Sequence, residues 1–241
     1  MRALSFGAAA AAYERGRPPY PAEAIDWLLP PGARRVLDLG AGTGKLTRLL
    51  RDRGLDVLAV EPLGEMRDQL TRAVPGVRVL AGTAEEIPAA DDGFDAVLVA
   101  QAWHWMDPVR ALPEVARVLT PGGWLGLVWN YRDESVEWVA RLGRLLRPYG
   151  ADGGGGAVPV VGPPFEPVER HDVRWVHHLD ARALIDMVAS RSYIITLPDA
   201  ERERVLGEVR RLLETDPALD DPSKIGLPYV TRCFRARLRD Q

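Results

Sequence analysis

The chain has 241 residues, 46% of them hydrophobic and 27% charged, with a formal net charge of −3. Those values match an ordinary globular domain and exclude disordered, collagen-like and disulfide-scaffold chains, and the length suits one large domain or two small ones. Its 29 arginines and two lysines are offset by 34 acidic residues, so no positive excess marks a nucleic-acid binder. The one cysteine, Cys233, has no intramolecular disulfide partner and suits a reducing compartment. The alanine run at 8–12 is followed at once by Glu14, Arg15 and Arg17, which breaks any signal-like apolar stretch. No window approaches the roughly 20 apolar residues that span a bilayer. A cytoplasmic protein that does not enter a membrane is expected.

Along the chain, Ala22 to Leu29 reads as a short helix after a proline-rich leader. Arg34 to Leu39 reads as a strand and Gly40 to Gly44 as a tight turn. Leucines at 46, 49 and 50 give Lys45 to Arg53 a helical period that stops at Gly54. The alternation continues with a strand at Asp56 to Val60, a helix at Leu63 to Val74 and strands at Val77 to Leu80 and Phe94 to Ala100. A helix at Pro108 to Leu119 follows, then the turn Pro121-Gly122-Gly123 and a strand at Trp124 to Trp129. Near-continuous apolar strands separated by helices predict an α/β fold, an open doubly wound parallel sheet whose crevice lies at the strands' carboxyl ends. Beyond Asn130 the rhythm changes. Helices are expected at Val136 to Leu146, Ala181 to Ala189 and Ala200 to Leu213, with strands near Val173 to Val176 and Tyr229 to Leu238, and a glycine tract at 153–156. The expected organisation is a leader at 1–33, a core at 34–133, and a helical cover with the sheet's final strands at 134–241, all one domain.

The segment Asp38-Leu39-Gly40-Ala41-Gly42-Thr43-Gly44 joins a strand to a helix. Glycines allow a tight turn and a close ligand approach, and the helix N-terminus beyond offers free N–H groups. Glu61 stands 21 residues past Gly40, at the end of the second strand, where a carboxylate can accept both hydroxyl protons of a ribose. A phosphate loop is excluded, because Leu39 stands where its first glycine belongs and Leu46 where its Ser/Thr belongs. A nicotinamide site is disfavoured, because Lys45 occupies the third glycine position of G-x-G-x-x-G.

Together these segments resemble the class I S-adenosylmethionine-dependent methyltransferases. Residues 36–44 are similar to that family's first motif, Val60-Glu61-Pro62 to its second, and Gly82 to Pro88 to the loop that holds the adenine. Phe94-Asp95-Ala96-Val97 and Arg117 to Gly123 resemble its fourth strand and the turn before its fifth. The leader around Tyr13 to Pro21 and the pair His104-Trp105 resemble the small-molecule branch related to trans-aconitate methyltransferases. The resemblance implies a Rossmann-like, mostly parallel seven-stranded sheet with a helical cover. It also implies S-adenosylmethionine as cofactor, held by Tyr13, Asp38, Gly40, Ala41, Gly42, Glu61, Pro62, Met66, Thr83, Ala84, Glu85 and Gln101. Asp38 would face its methionine end and Met66 its adenine; Thr83 departs from a frequent family Asp, which shifts the adenine contact toward Glu85 or the Ala84 N–H.

Residues 101–105 follow the fourth strand, where the crevice must lie, and two tryptophans around a histidine suit a substrate pocket. Tyr20, Trp103, His104, Trp105, Arg132 and Tyr193 are the candidate acceptor-site residues. His104 is the candidate general base, since imidazole titrates near neutrality. Arg132, with Arg191, suits a carboxylate. The histidines at 171, 177 and 178 lack ligand spacing, and no metal is expected. The expected activity is methyl transfer to a small carboxylate, hydroxyl or amine by a monomer or homodimer, without nucleic acid or membrane. A nicotinamide-dependent oxidoreductase and a non-catalytic S-adenosylmethionine-binding protein are the alternatives.

Overall fold

A computed structural model describes residues 18–150 and 158–239. Tyr13 and the glycine tract at 153–156 lie outside the described residues. In chain order the elements are α1 (Ala22–Leu28), β1 (Arg35–Leu39), α2 (Lys45–Arg51), β2 (Asp56–Val60), α3 (Gly64–Ala73), β3 (Arg78–Leu80) and β4 (Phe94–Ala100). There follow a 3-10 turn (Trp103–Trp105), α4 (Pro108–Val118), β5 (Leu119–Arg132) and α5 (Glu137–Leu146). After a second 3-10 turn (Arg147–Tyr149) come β6 (Glu169–Leu179), α6 (Ala181–Ala189), α7 (Ser192–Ile195), α8 (Asp199–Thr215) and β7 (Ile225–Arg237). The seven strands form one sheet in the order β3-β2-β1-β4-β5-β7-β6. The β2–β3, β1–β2, β1–β4 and β4–β5 pairings are parallel. This is the Rossmann-like doubly wound sheet that the alternating pattern predicts.

The order reverses between β1 and β4, and a ligand crevice opens outside the carboxyl ends of strands at such a switch point. β1 is therefore central. Its register sets Asp38 between Ala59 of β2 and Leu98 of β4, one residue before the glycine turn.

The described chain packs as two compact units, residues 20–130 with 158–173 and 231–239, and residues 18–19, 131–150 and 174–230. β5, β6 and β7 each contribute residues to both, so the units divide within strands. In the first unit, Ala24, Ile25 and Leu28 of α1 and Leu46 and Leu50 of α2 pack with Val36, Ala96, Leu98 and Val128 of the sheet. A second cluster joins Ala41 and Ala59 to Leu70 and Val74. Each fully buried leucine contributes about 1.5–3 kcal/mol. Arg235 of β7 anchors α1. Its guanidinium lies 4.2 Å from the ring centres of both Trp27 and Trp124, donates to the Trp27 carbonyl at 2.8 Å, and pairs with Glu169. In the second unit, α5, α6 and α8 bury Val139, Leu142, Leu184, Val188, Val205 and Val209 with Ile225, Leu227 and Tyr229 of β7.

The departures from the sequence expectations have local causes. Pairing of β5 with β4 begins at Leu119 opposite Phe94 and resumes at Trp124 opposite Ala96, so Thr120–Gly123 bulges out within a strand rather than preceding it. Strands β6 and β7 run well beyond 173–176 and start before Tyr229. Charged residues along both strands, such as the exposed Arg174 of β6, interrupt the apolar runs that mark the other strands. The 3-10 turn at 103–105 and the four-residue α7 are too short to carry a period.

Gly44 shows how α2 meets α3. It has φ +91°, and a Cβ there would lie 2.9 Å from Leu70 Cγ and 3.1 Å from Val74 Cγ2. Gly44→Ala therefore meets both backbone strain and overpacking, and destabilises the fold by about 2 kcal/mol or more. Thermal denaturation should show a Tm loss of roughly 4–8 °C.

Candidate active site

The glycine turn is built by backbone bonds. The N–H groups of Gly40 and Ala41 both donate to the Val60 carbonyl, at 2.8 and 3.1 Å, which draws the turn against the end of β2. Gly40 has φ +72°, and a Cβ there would meet Ala102 Cβ at 2.9 Å, so the turn also touches the loop after β4. Gly42 differs. At φ +56° it has nothing within 4 Å of an added Cβ, so its Cα faces open space at the crevice.

Glu61 is 6% exposed and ties this cradle together. Its carboxylate accepts the Gly42 N–H and the Leu63 N–H, each at 3.0 Å. Burial raises its carboxyl from the ordinary value, and those two N–H donors pull it back. A carboxylate has about four lone-pair sites, so acceptor capacity remains for two hydroxyls. Arg67 of α3 braces the same corner by donating to the carbonyls of Glu61 and Pro62 at 2.9 and 2.7 Å.

Asp38 is fully buried. One carboxylate oxygen, Oδ2, accepts the Thr47 hydroxyl at 2.5 Å, and the other, Oδ1, has no hydrogen-bond partner. Burial pushes the carboxyl up to about 7; the Thr47 hydroxyl pulls it down and the nearby Glu61 charge raises it again. A buried acceptor left without a donor costs about 1–3 kcal/mol, more when charged, and a cationic ligand group would remove that cost.

The adenine-loop candidates lie together. Ala84 is buried and Thr83 exposed, while Thr83 bridges to Glu86 and Glu85 accepts the Asp107 N–H at 2.9 Å. Burial acts to raise the Glu85 carboxyl, but the donors around it, the Thr83 side chain among them, bring it below its usual value. Met66 is buried on α3 and Pro62 is exposed. Gln101, just beyond β4, has φ +58°, which is uncommon for a residue with a side chain. Its N–H donates to the Val128 carbonyl at 2.9 Å, which holds this strained corner at the mouth of the crevice.

The acceptor-site candidates are dispersed. Trp103 is buried, whereas His104 and Trp105 are exposed with ring centres 4.8 Å apart. Tyr20 is a buried member of the cluster that packs α1. Arg132 and Tyr193 belong to the other unit; Tyr193 packs against its helical core and Arg132 buries an Nε with no hydrogen-bond partner. His171 pairs with Glu23 at 3.2 Å and His177 packs on Tyr229. Among the described residues no group of three His, Cys, Asp or Glu could hold a metal ion, and no helix is long and apolar enough to cross a membrane. Thr47 and Arg67 escaped the sequence reading; each has only its helical position to mark it.

A methyltransferase-domain family model matches residues 37–127, which spans the glycine turn, Glu61 and the loop after β4. An uncharacterized methyltransferase of Mycobacterium tuberculosis is 61% identical over 236 residues, covering 98% of this chain and 96% of its own. The chain belongs to the class I methyltransferases. An uncharacterized methyltransferase-like protein of Schizosaccharomyces pombe is 35% identical to this methyltransferase over 240 residues, with 95% and 94% of the two chains covered. In structure it is similar to a candidate type II methyltransferase from Anaeromyxobacter dehalogenans, with a TM-score of 0.66, 25% identity, and 93% and 99% coverage. Family membership also makes this chain an enzyme, against the non-catalytic alternative, and its reaction methyl transfer rather than nicotinamide redox chemistry.

With Asp38 at about 7 in the folded protein against about 3.9 unfolded, the native state holds the extra proton across the interval between. The stability tied to that proton is complete below pH 4 and is lost as pH rises through 7. Asp38→Asn removes the titration. Its Tm relative to the parent should rise by the equivalent of on the order of 2 kcal/mol between pH 5 and pH 8, measured by calorimetry without ligand.

Proposed function

We propose that this methyltransferase uses S-adenosylmethionine to methylate a small-molecule acceptor. The observation that carries the reading is the unpartnered Asp38 Oδ1, buried at the switch-point end of β1 next to a glycine turn whose Gly42 faces open space. A cofactor with an ammonium group and a sulfonium matches an acidic pair in which burial and the Glu61 charge both raise the Asp38 carboxyl. In this reading Asp38 takes the methionine end, Glu61 the ribose hydroxyls, and Gly40, Ala41 and Gly42 leave room for close approach. Ala84, Glu85, Thr83 and Met66 surround the base, with Pro62 and Gln101 at the rim. When bound, the cofactor supplies a methyl group already activated by its sulfonium, so the protein's task is mainly alignment, worth about 7–11 kcal/mol of barrier.

For the acceptor, Trp103 and Trp105 offer an apolar wall. A carboxylate oxygen is a nucleophile without losing a proton. A hydroxyl or amine must lose one, and in this reading His104, exposed beside Trp105, takes it.

Affinity for S-adenosylmethionine should rise about tenfold per pH unit below 7 and level off above it, because binding a cation beside Asp38 favours its ionised form. Isothermal calorimetry between pH 5.5 and 8.5 checks this; no binding at any pH would remove the cofactor assignment. Transfer of labelled methyl to carboxylate, phenol and amine libraries identifies the acceptor class. His104→Ala should lower kcat about a hundredfold for hydroxyl or amine acceptors and leave carboxylate methylation nearly unchanged.

A further inference from the structure

Arg117, near the end of α4, uses all five of its N–H donors. Nε and one terminal nitrogen grip both oxygens of Glu114, at 2.9 and 2.8 Å. The remaining bonds reach the loop between β3 and β4: the carbonyls of Ile87 and Ala89 at 2.9 and 2.8 Å, and the Asp91 carboxylate at 2.7 Å. Glu114 closes the circuit by accepting the Ile87 N–H at 2.9 Å. Farther along α4, at its N-terminal side, Glu85 of the same loop accepts the N–H of Asp107, the residue that caps the helix. At the other end, the Asp92 and Gly93 N–H groups donate to the Arg117 and Val118 carbonyls.

A surface ion pair ordinarily contributes little, and this one is only partly exposed, at 31% for Arg117 and 25% for Glu114. Its bonding pattern is what matters. The Ile87 N–H is held by Glu114 and the Ile87 and Ala89 carbonyls by Arg117, so the pair fixes the main chain on both sides of Ile87, and a planar fork with fixed donor directions does this where an ammonium would not. The segment so fixed begins at Ile87, just after Ala84 and Glu85, and the Asp107 N–H holds Glu85 from the other end of α4. We infer that the Glu114–Arg117 pair is the positioning element for the adenine-reading loop, setting the Ala84 N–H and the Glu85 side chain where the base's exocyclic amino group and ring nitrogens are recognised. Specificity for adenine over a deaminated base is then controlled from α4, by residues that never touch the ligand. The inference rests on the S-adenosylmethionine reading above.

The test measures binding by calorimetry of S-adenosylhomocysteine and of S-inosylhomocysteine, which carries a carbonyl in place of the amino group. The intact protein should prefer the adenosyl compound by about tenfold or more. Arg117→Lys keeps the charge but loses the fork, and Glu114→Gln keeps the shape but loses the charge. Each should bind the adenosyl compound about tenfold more weakly and bring the preference close to unity, with hydrogen exchange at residues 83–88 accelerated. Arg53→Lys is the control for a merely structural arginine: Arg53 likewise pairs with Asp26 and donates to the Leu49 and Ala22 carbonyls, far along the chain from this loop. It should lower Tm and leave the preference intact. Variants that fold and keep the parent's preference would overturn the inference, as would an equal loss of preference in Arg53→Lys. Failure of the intact protein to bind S-adenosylhomocysteine overturns the cofactor reading itself, and this inference with it, which is a different result from binding without loop control.

Discussion

The arrangement depends on one buried carboxylate. Asp38 is the penultimate residue of a strand flanked by parallel neighbours on both sides, with no solvent to stabilise its charge, one oxygen held by Thr47 and the other without a partner. A fold selected only for stability would place an apolar side chain there, as it does at Val36, Leu37 and Leu39. The cost is tolerated at the one point where the strand order reverses and a crevice is unavoidable. The surrounding features follow from keeping that carboxylate in place. Thr47 comes from the first turn of the helix that the glycine turn starts, and the turn itself is pulled onto β2 by two bonds to one carbonyl.

Glu61 plays the complementary part. Unlike Asp38 it is satisfied, by N–H groups from the glycine turn and from the start of α3, so it behaves as a joint between two strand ends as well as an open acceptor. Two acids with such different bonding suit different partners. The one with an orphan oxygen suits a cation, and the one already anchored by two N–H groups suits neutral hydroxyls. The separation of roles arises from environment alone, since the side chains differ by a single methylene.

Much of this was legible in the residues. The strands β1, β2 and β4 announce themselves because both their faces are buried, which produces near-continuous apolar runs. Glycines at 40, 42 and 44, with Glu61 at the following strand end, mark the cradle because glycine adopts a positive φ most readily and a carboxylate suits a pair of hydroxyls. Less was legible beyond Asn130. β6 carries four charged residues and three histidines, β5 carries a bulge, and the helices of the second unit pack mainly with one another around Tyr229, so their period says little about what they face.

The sequence by itself determined the fold class, the parallel sheet, the family and the identity of the candidate cofactor residues, because those depend on local periodicity and on residue types at fixed spacing. Only the tertiary structure decided which acid is satisfied and which is not, that Gly42 faces open space while Gly44 packs against Leu70, and that Tyr20 joins a core cluster. It also decided that Arg117 spends every donor on one loop. These are properties of distance and burial between residues far apart in the chain. Spacing in sequence carries no information about which hydrogen bonds are made once the strands have come together.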